Sequence, residues 1–407
     1  MTIEIRTVAP ARLREWIDAI ESASGDRVTD EAWPYVERCT EIDRVLGAYD
    51  GDRLVGGGAA FSYQLTVPGG HVAAAGVTAV GVMPTHRRRG TLRQLMAAQL
   101  ADVRTRGEAV AMLWASEGSI YGRFGYGLAT LNGRIEIERE RATFASPATP
   151  RGSFRLIDRD EALELYPQVY DPICAATPGF FGRNRTWWEN DVLPDLQSYR
   201  RGAGNKFYVV QERDGHAVAY VLYRVISEWG DVGSLSVLQV QELMALDADA
   251  LRDTWQFVFG VDLIHRIRAR VGPVDHPLLL MVSDPRRLAL RVVDGLWLRI
   301  VDVEAALAAR TYNGSGSIVL EVADGFMPEL AGRWRLHVES GSATVTLTED
   351  GPDLALDVAD LGAIYLGAFS FAQLARAGRT RELTPGARAA ADALFTTPTR
   401  PWCPQVF

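Results

Sequence analysis

One order of elements occurs twice along this chain. Residues 44–67, RVLGAYDGDRLVGGGAAFSYQLTV, form two apolar runs around Asp50-Gly51, and residues 205–225, NKFYVVQERDGHAVAYVLYRV, form two around Asp214-Gly215. An Asp-Gly pair between such runs is a strong hairpin signal. Helix-like sequence precedes each hairpin: 10–23 and 28–39 in the first copy, 160–177 in the second. A long apolar strand follows each (71–84 and 234–246), then an amphipathic helix (90–107 and 247–261). The repeat is one of pattern and not of residues, so the spacing predicts a duplicated strand-and-helix unit.

The first copy continues into a strand (109–117), a short helical turn (118–127) and a closing strand, ATLNGRIEIERE (129–140). Small residues and two proline breaks make ATFASPATPRGS (142–153) a linker. A last segment begins near Arg291. It passes from strand to helix (295–310), through an alternating meander (316–324, 332–340, 342–350), to helices at 356–378 and 385–397. A proline-rich tail, PTRPWCPQVF, ends at Phe407. Domains are therefore expected at 1–150, 151–291 and 292–407.

A chain of 407 residues is too long for one core. With 47% hydrophobic and 23% charged residues it reads as soluble and globular. No run approaches 18 apolar residues, and the N-terminus lacks a basic stretch followed by an apolar one. No membrane association and a cytoplasmic location follow as expectations. Cys39, Cys174 and Cys403 form no CxxC pair, and the six histidines never fall at ligand spacing, so neither a disulfide frame nor a metal is expected. The net charge, 43 − 51 = −8, argues against nucleic acid and for a cationic partner.

Against that charge, THRRRGTLRQLM (85–96) places three arginines before a helix start. A strand opening onto a helix leaves backbone N–H groups unpaired, and the helix dipole favours an anion there. Gly90 lets backbone approach closely. Arg87, Arg88 and Arg89 carry donors that match phosphate geometry. A diphosphate cradle is the functional reading, and a solvated helix start the plain one. Neither a GKS/GKT loop nor G-x-G-x-x-G occurs. The second copy has LDADA at its junction, with two acids and no glycine, so that copy is expected to be structural.

The R-x-x-G stretch after a long strand resembles the acetyl-CoA loop of the GNAT N-acetyltransferases. The longer strings GVTAVGVMPTHRRRGTLRQLM (76–96) and ASEGSIYGRFGYG (115–127) resemble the Eis (enhanced intracellular survival) branch, and DGLWLRIVDVEAALAAR and LGAIYLGAFSFAQL match its third part. Leu92 departs from the small residue that ends the superfamily motif. The resemblance implies an α+β chain: tandem GNAT folds, each a mixed central sheet flanked by helices, then a sterol-carrier-protein-like α+β domain. It implies acetyl-CoA as cosubstrate. The backbone of Val80, Gly81 and Val82 is expected to pair with the pantetheine arm. Arg87, Arg88, Arg89, Gly90, Thr91, Leu92 and Arg93 are expected to surround the pyrophosphate and 3′-phosphate. Ser116 and Glu117 would line the opposite wall.

Two tyrosines, Tyr121 and Tyr126, compete for the general acid. The family's Y-x-x-x-G-[FY] ending selects Tyr121, with Gly125 and Tyr126 completing it. A phenol, pKa about 10, can protonate a departing thiolate whose conjugate acid lies near 8.5. The resemblance also implies that a terminal carboxylate, here on Phe407, acts as base or orients the ammonium, and prolines lower the entropy of threading such a tail. Asp26, Asp30, Glu31 and Trp33 are candidate linings of an acidic acceptor cleft. Trp114 stands where relatives often carry histidine, and Ala79 where they carry an aromatic residue, so the substrate does not transfer directly. The expected reaction is acetylation of aminoglycoside-like polyamines or lysine side chains through a ternary complex, since no cysteine lies near the cofactor string. A lipid- or small-molecule-binding scaffold, and an acyltransferase with another acyl-CoA donor, are the alternatives. Family likeness implies a homo-oligomer, a hexamer.

Overall fold

Both hairpins close through two-residue loops, Gly51-Asp52 in the first and Asp214-Gly215 in the second. In the second, Asp214 (φ 53°) and Gly215 (φ 80°) are both left-handed, the type I′ geometry that matches strand twist, and they pair Arg213 with His216. In the first, Gly51 (φ 60°) turns the chain so that Asp50 pairs with Arg53. A computed structural model of the chain describes residues 3–146 and 148–407, so Pro147 of the linker lies outside it.

The first sheet runs β1 (Ile3–Thr7), β2 (Leu46–Asp50), β3 (Arg53–Val67) and β4 (Gly70–Val82), all antiparallel, with β5 (Val110–Trp114) parallel to β4. Helices α1 (Leu13–Ser24), α2 (Trp33–Cys39) and α3 (Thr91–Thr105) and the short α4 (Gly118–Tyr121) flank it. The edge is β6 (Gly127–Leu128), but β6 does not pair with β5. A strand from far downstream, Leu296–Ile300, inserts between them, antiparallel to both.

The expected closing strand of the first copy goes elsewhere. β7 (Leu131–Glu138) pairs with Arg266–Ala269 and Arg291–Asp294 in a second seven-stranded sheet. The sheets thus exchange strands, and boundaries near 150 and 291 cut across both. Periodicity gives the strand type but not the sheet that receives it. The crossing point is tied by hydrogen bonds: Ala129 N and Thr130 N donate to Leu296 O (2.8 and 3.1 Å), and Gly295 N donates to Thr130 O (3.0 Å).

The meander forms three strands of a five-stranded sheet whose order also takes in Leu354–Asp357 and Thr380–Glu382. Its core is continuous with that of the first sheet: Leu65, Val110, Leu298, Ile318, Leu361 and Phe395 belong to one buried cluster. Helix Val358–Tyr365 lies so close to the first sheet that a Cβ on Gly127 would overlap Ala359 O. Among the described residues no helix is long and apolar enough to cross a membrane.

Candidate active site

Two departures from regular pairing open the first sheet. β4 pairs with β5 only over Ala74–Gly76 and Val110–Met112, and beyond that the strands part. On the other side of β4, register moves from Ala59↔Thr78 to Gly57↔Gly81, so Ala79 and Val80 together oppose Gly58. This is a β-bulge, and Ala79 sits at φ 49°, an uncommon conformation for a residue with a Cβ. The main chain from Thr78 to Gly81 is thereby half-buried beside a gap, without a strand partner on that side.

The chain leaves β4, turns, and enters α3 through Gly90 at φ 85°, where an added Cβ would touch nothing. Glycine is favoured there by backbone angle, not by space. The first helical hydrogen bond is Gln94 N to Gly90 O (3.1 Å), so the N–H groups of Thr91, Leu92 and Arg93 precede the ladder and face the gap end.

A cleft of about 1090 Å³ follows from this geometry. Val80, Gly81, Val82, Arg87, Arg88, Gly90, Thr91, Leu92, Arg93, Trp114, Ser116, Glu117, Tyr121 and Phe407 line it. The three consecutive arginines divide their labour. Arg87 spends its guanidinium on main chain, donating from Nε to Val82 O (3.0 Å) and from Nη2 to Ala23 O (2.8 Å). It ties the loop to α1 while still lining the cleft. Arg89 is exposed and does not line the cleft, whereas Arg88 and Arg93 do. The backbone N–H groups, the helix start and these two cations suit a pyrophosphate-bearing ligand.

The two tyrosines separate cleanly. Tyr126 is fully buried and its hydroxyl has no hydrogen-bond partner among the described residues. Tyr121, at the end of α4, lines the cleft. Burial raises the Tyr121 phenol above its usual range, with a Ser116 hydrogen bond pulling the other way, so it is protonated at neutral pH.

A second chamber of about 570 Å³ adjoins the cleft. Glu21, Thr78, Ala79 and Phe407 line both spaces. Asp26 lines the second chamber, but Asp30 and Trp33 do not. Asp30 is fully exposed and pairs with Arg14 (3.2 Å), and Trp33 lies under the same guanidinium, 5.1 Å from its ring centroid. Glu31 accepts from Gln197 N (2.9 Å) and Ser198 N (3.1 Å), fixing the loop that brings Tyr199 and Arg201 of the second copy to the chamber. Sequence reading missed Glu21, Tyr199 and Arg201. Burial and the neighbouring Asp26 raise the Glu21 carboxyl above its usual range.

Phe407 forms the partition. Its ring meets Tyr63 (5.3 Å) and Phe181 (5.5 Å), and a Cβ on Gly76 would lie 3.1 Å from it. Main-chain bonds hold the tail: Trp402 N to Pro178 O (3.2 Å), Asn132 Nδ2 to Cys403 O (3.2 Å) and Trp114 Nε1 to Gln405 O (2.8 Å). Trp114, expected as a substrate contact, therefore also clamps the tail. In the second copy the corresponding helix, Ala248–Gly260, is closed by its own cap: Asp247 accepts from Ala250 N (2.8 Å), in the place an anion would need.

Residues 4–129 and 179–300 each match an acetyltransferase (GNAT) domain family, and residues 303–404 match the sterol carrier protein domain family. The chain is 42% identical over 410 residues to an uncharacterized N-acetyltransferase of Streptomyces avermitilis, with 100% of both chains covered. It is 37% identical over 345 residues to N-acetyltransferase Eis of Mycobacterium tuberculosis, covering 82% of this chain and 81% of that one. The crystal structure of Eis1 from Mycobacterium abscessus superposes with a TM-score of 0.84 at 35% identity, over 100% of both chains.

Proposed function

The chain belongs to the Eis family of GNAT N-acetyltransferases, and on that premise we propose that it moves the acetyl group of acetyl-CoA directly to a primary amine of a cationic acceptor, an aminoglycoside-like polyamine or a lysine side chain. The observation that carries this reading is the meeting of two chambers at one wall, with Tyr121 in the first and Phe407 shared by both. The GNAT fold implies acetyl-CoA as cosubstrate. The parted strands, the start of α3 and Arg88 and Arg93 suit its pantetheine arm and phosphates. Glu21, Asp26 and the Phe407 carboxylate are the acidic groups an ammonium would meet in the second chamber, whose lining also carries Arg27 and Arg201, so recognition rests on where these acids stand and not on a net charge.

In this reading the amine nitrogen attacks the thioester carbonyl carbon and the C–S bond breaks. Tyr121 gives its phenolic proton to the departing sulfur. The proton lost by the amine passes to the Phe407 carboxylate, directly or through water. A carboxylate is an intrinsically weak base, with a pKa near 3.5 when solvated, so orienting the ammonium is the larger part of its work. No covalent acyl-enzyme is required.

Two measurements test the reading. Calorimetry should show heat with CoA, and free thiol should appear when acetyl-CoA and a polyamine are both present. Absence of both would end the proposal. Arg88→Glu and Arg93→Glu should each weaken CoA binding about 10- to 100-fold, the range for losing a charge-assisted phosphate contact. Arg89→Glu should change it by less than about threefold, the scale of an exposed charge. Equal losses in all three would contradict the division of labour among the arginines.

A further inference from the structure

The second GNAT copy is split in the same place as the first, but a buried charged pair stands beside the split. Its strand Val237–Ala245 pairs with Arg266–Ala269 only over Val237–Val240. On the other side, register moves from Tyr223↔Val240 to Leu222↔Glu242, leaving Gln241 as a bulge. Glu242 thus follows the bulge of the second copy as Gly81 follows that of the first. Where Gly81 lines an open cleft, Glu242 is buried and takes both terminal nitrogens of Arg183 (2.8 and 2.6 Å) and the hydroxyl of Tyr220.

Arg183 is itself buried, and its remaining donor goes to the tail: Nε donates to Gln405 Oε1 (2.7 Å). Gln405 uses every polar group of its side chain and its carbonyl. Its Nε2 donates to Asp191 Oδ2 (2.7 Å), and its carbonyl accepts from Trp114 Nε1 (2.8 Å) and Cys403 Sγ (3.3 Å). It is 5% exposed, while its neighbour Val406 is 57% exposed. The last buried point along the tail is therefore Gln405, two residues before Phe407.

We propose that the buried charge pair beside the split of the second copy anchors the C-terminal tail, with Gln405, seated on that Arg183–Glu242 pair, as the positioning residue that sets Phe407 between the two chambers. Four elements converge on it: the second sheet through Glu242, the segment before helix Arg185–Trp187 through Arg183, the turn Trp188–Val192 through Asp191, and the first sheet through Trp114. An unpaired buried guanidinium is costly, so the Arg183–Glu242 pair holds a strong demand for the amide oxygen of Gln405. The inference rests on the role given above to Phe407.

The test uses Gln405→Leu in the full chain, alone and with Phe407 deleted. The single variant should bind CoA with unchanged affinity, which controls for folding, and lose kcat about 10- to 100-fold. In the chain lacking Phe407 the same substitution should cost less than about twofold, because its effect passes through Phe407. Full additivity of the two losses, or an unchanged kcat in the single variant, would overturn the positioning role. Carboxypeptidase digestion, followed by mass spectrometry, reads the anchor without catalysis: Gln405→Leu should release the terminal residues at least tenfold faster than wild type. An unchanged release rate would overturn the anchor itself. If release quickens while deletion of Phe407 leaves turnover intact, the anchor stands and the catalytic role of Phe407 falls.

Discussion

Tyr121→Phe should lower kcat for amine acetylation about 100-fold or more, the range for removing a positioned general acid. The dissociation constant for CoA should stay within a factor of about two, because the cleft keeps its shape and its cations. The ring of Tyr121 packs edge-on to Tyr126 at 6.0 Å, and phenylalanine preserves that contact. The raised phenol pKa fixes the sign of the pH dependence. A group kept protonated beyond its usual value of about 10 imposes no falling limb on the rate below that pH. Pre-steady-state thiol release across pH 7–10 would check both statements. A variant with near wild-type turnover would show that sulfur leaves without help from this residue.

Gly127→Ala should destabilise the chain by about 3 kcal/mol or more, at the upper end for overpacking, because the obstruction is main chain. The added Cβ would overlap Ala359 O and lie 2.8 Å from Ala363 N, both in the helix laid across β6. Neither atom can swing aside as a flexible side chain could. The helix must lift from the sheet, and with it the cluster containing Leu298 and Leu361. Thermal denaturation should show a melting temperature lower by several degrees. Gly122→Ala, whose Cβ would meet nothing within 4 Å, is the matched control and should leave it nearly unchanged.

What could be read from the residues was local. The Asp-Gly hairpins, the bounds of α3 and the choice between Tyr121 and Tyr126 each depend on a few consecutive residues, or on a string long enough to carry a family likeness. The exchange of β7 for Leu296–Ile300 was not legible, since alternation marks a strand without naming its neighbour. Of the second chamber's lining, the sequence pointed to Asp26, Ala79 and Phe407. Asp30 and Trp33 lie near in sequence but turn toward Arg14, while Tyr199 and Arg201 come from the other copy. Arg87 shows a third limit: the sequence gives its charge, and only the carbonyls of Val82 and Ala23 reveal that it also braces the loop.

The exchange of strands has a consequence for biosynthesis. A ribosome that has released the segment carrying Tyr121 has not yet made the strand that must lie beside β5. At translation speeds of about 5–20 residues per second, the half-built sheet waits on the order of ten seconds or more with an open edge. Neither copy can be expressed with its sheet intact by cutting the gene between them. Completion of the cleft is a late event, which waits first on residues 296–300 and last on the tail that carries Phe407.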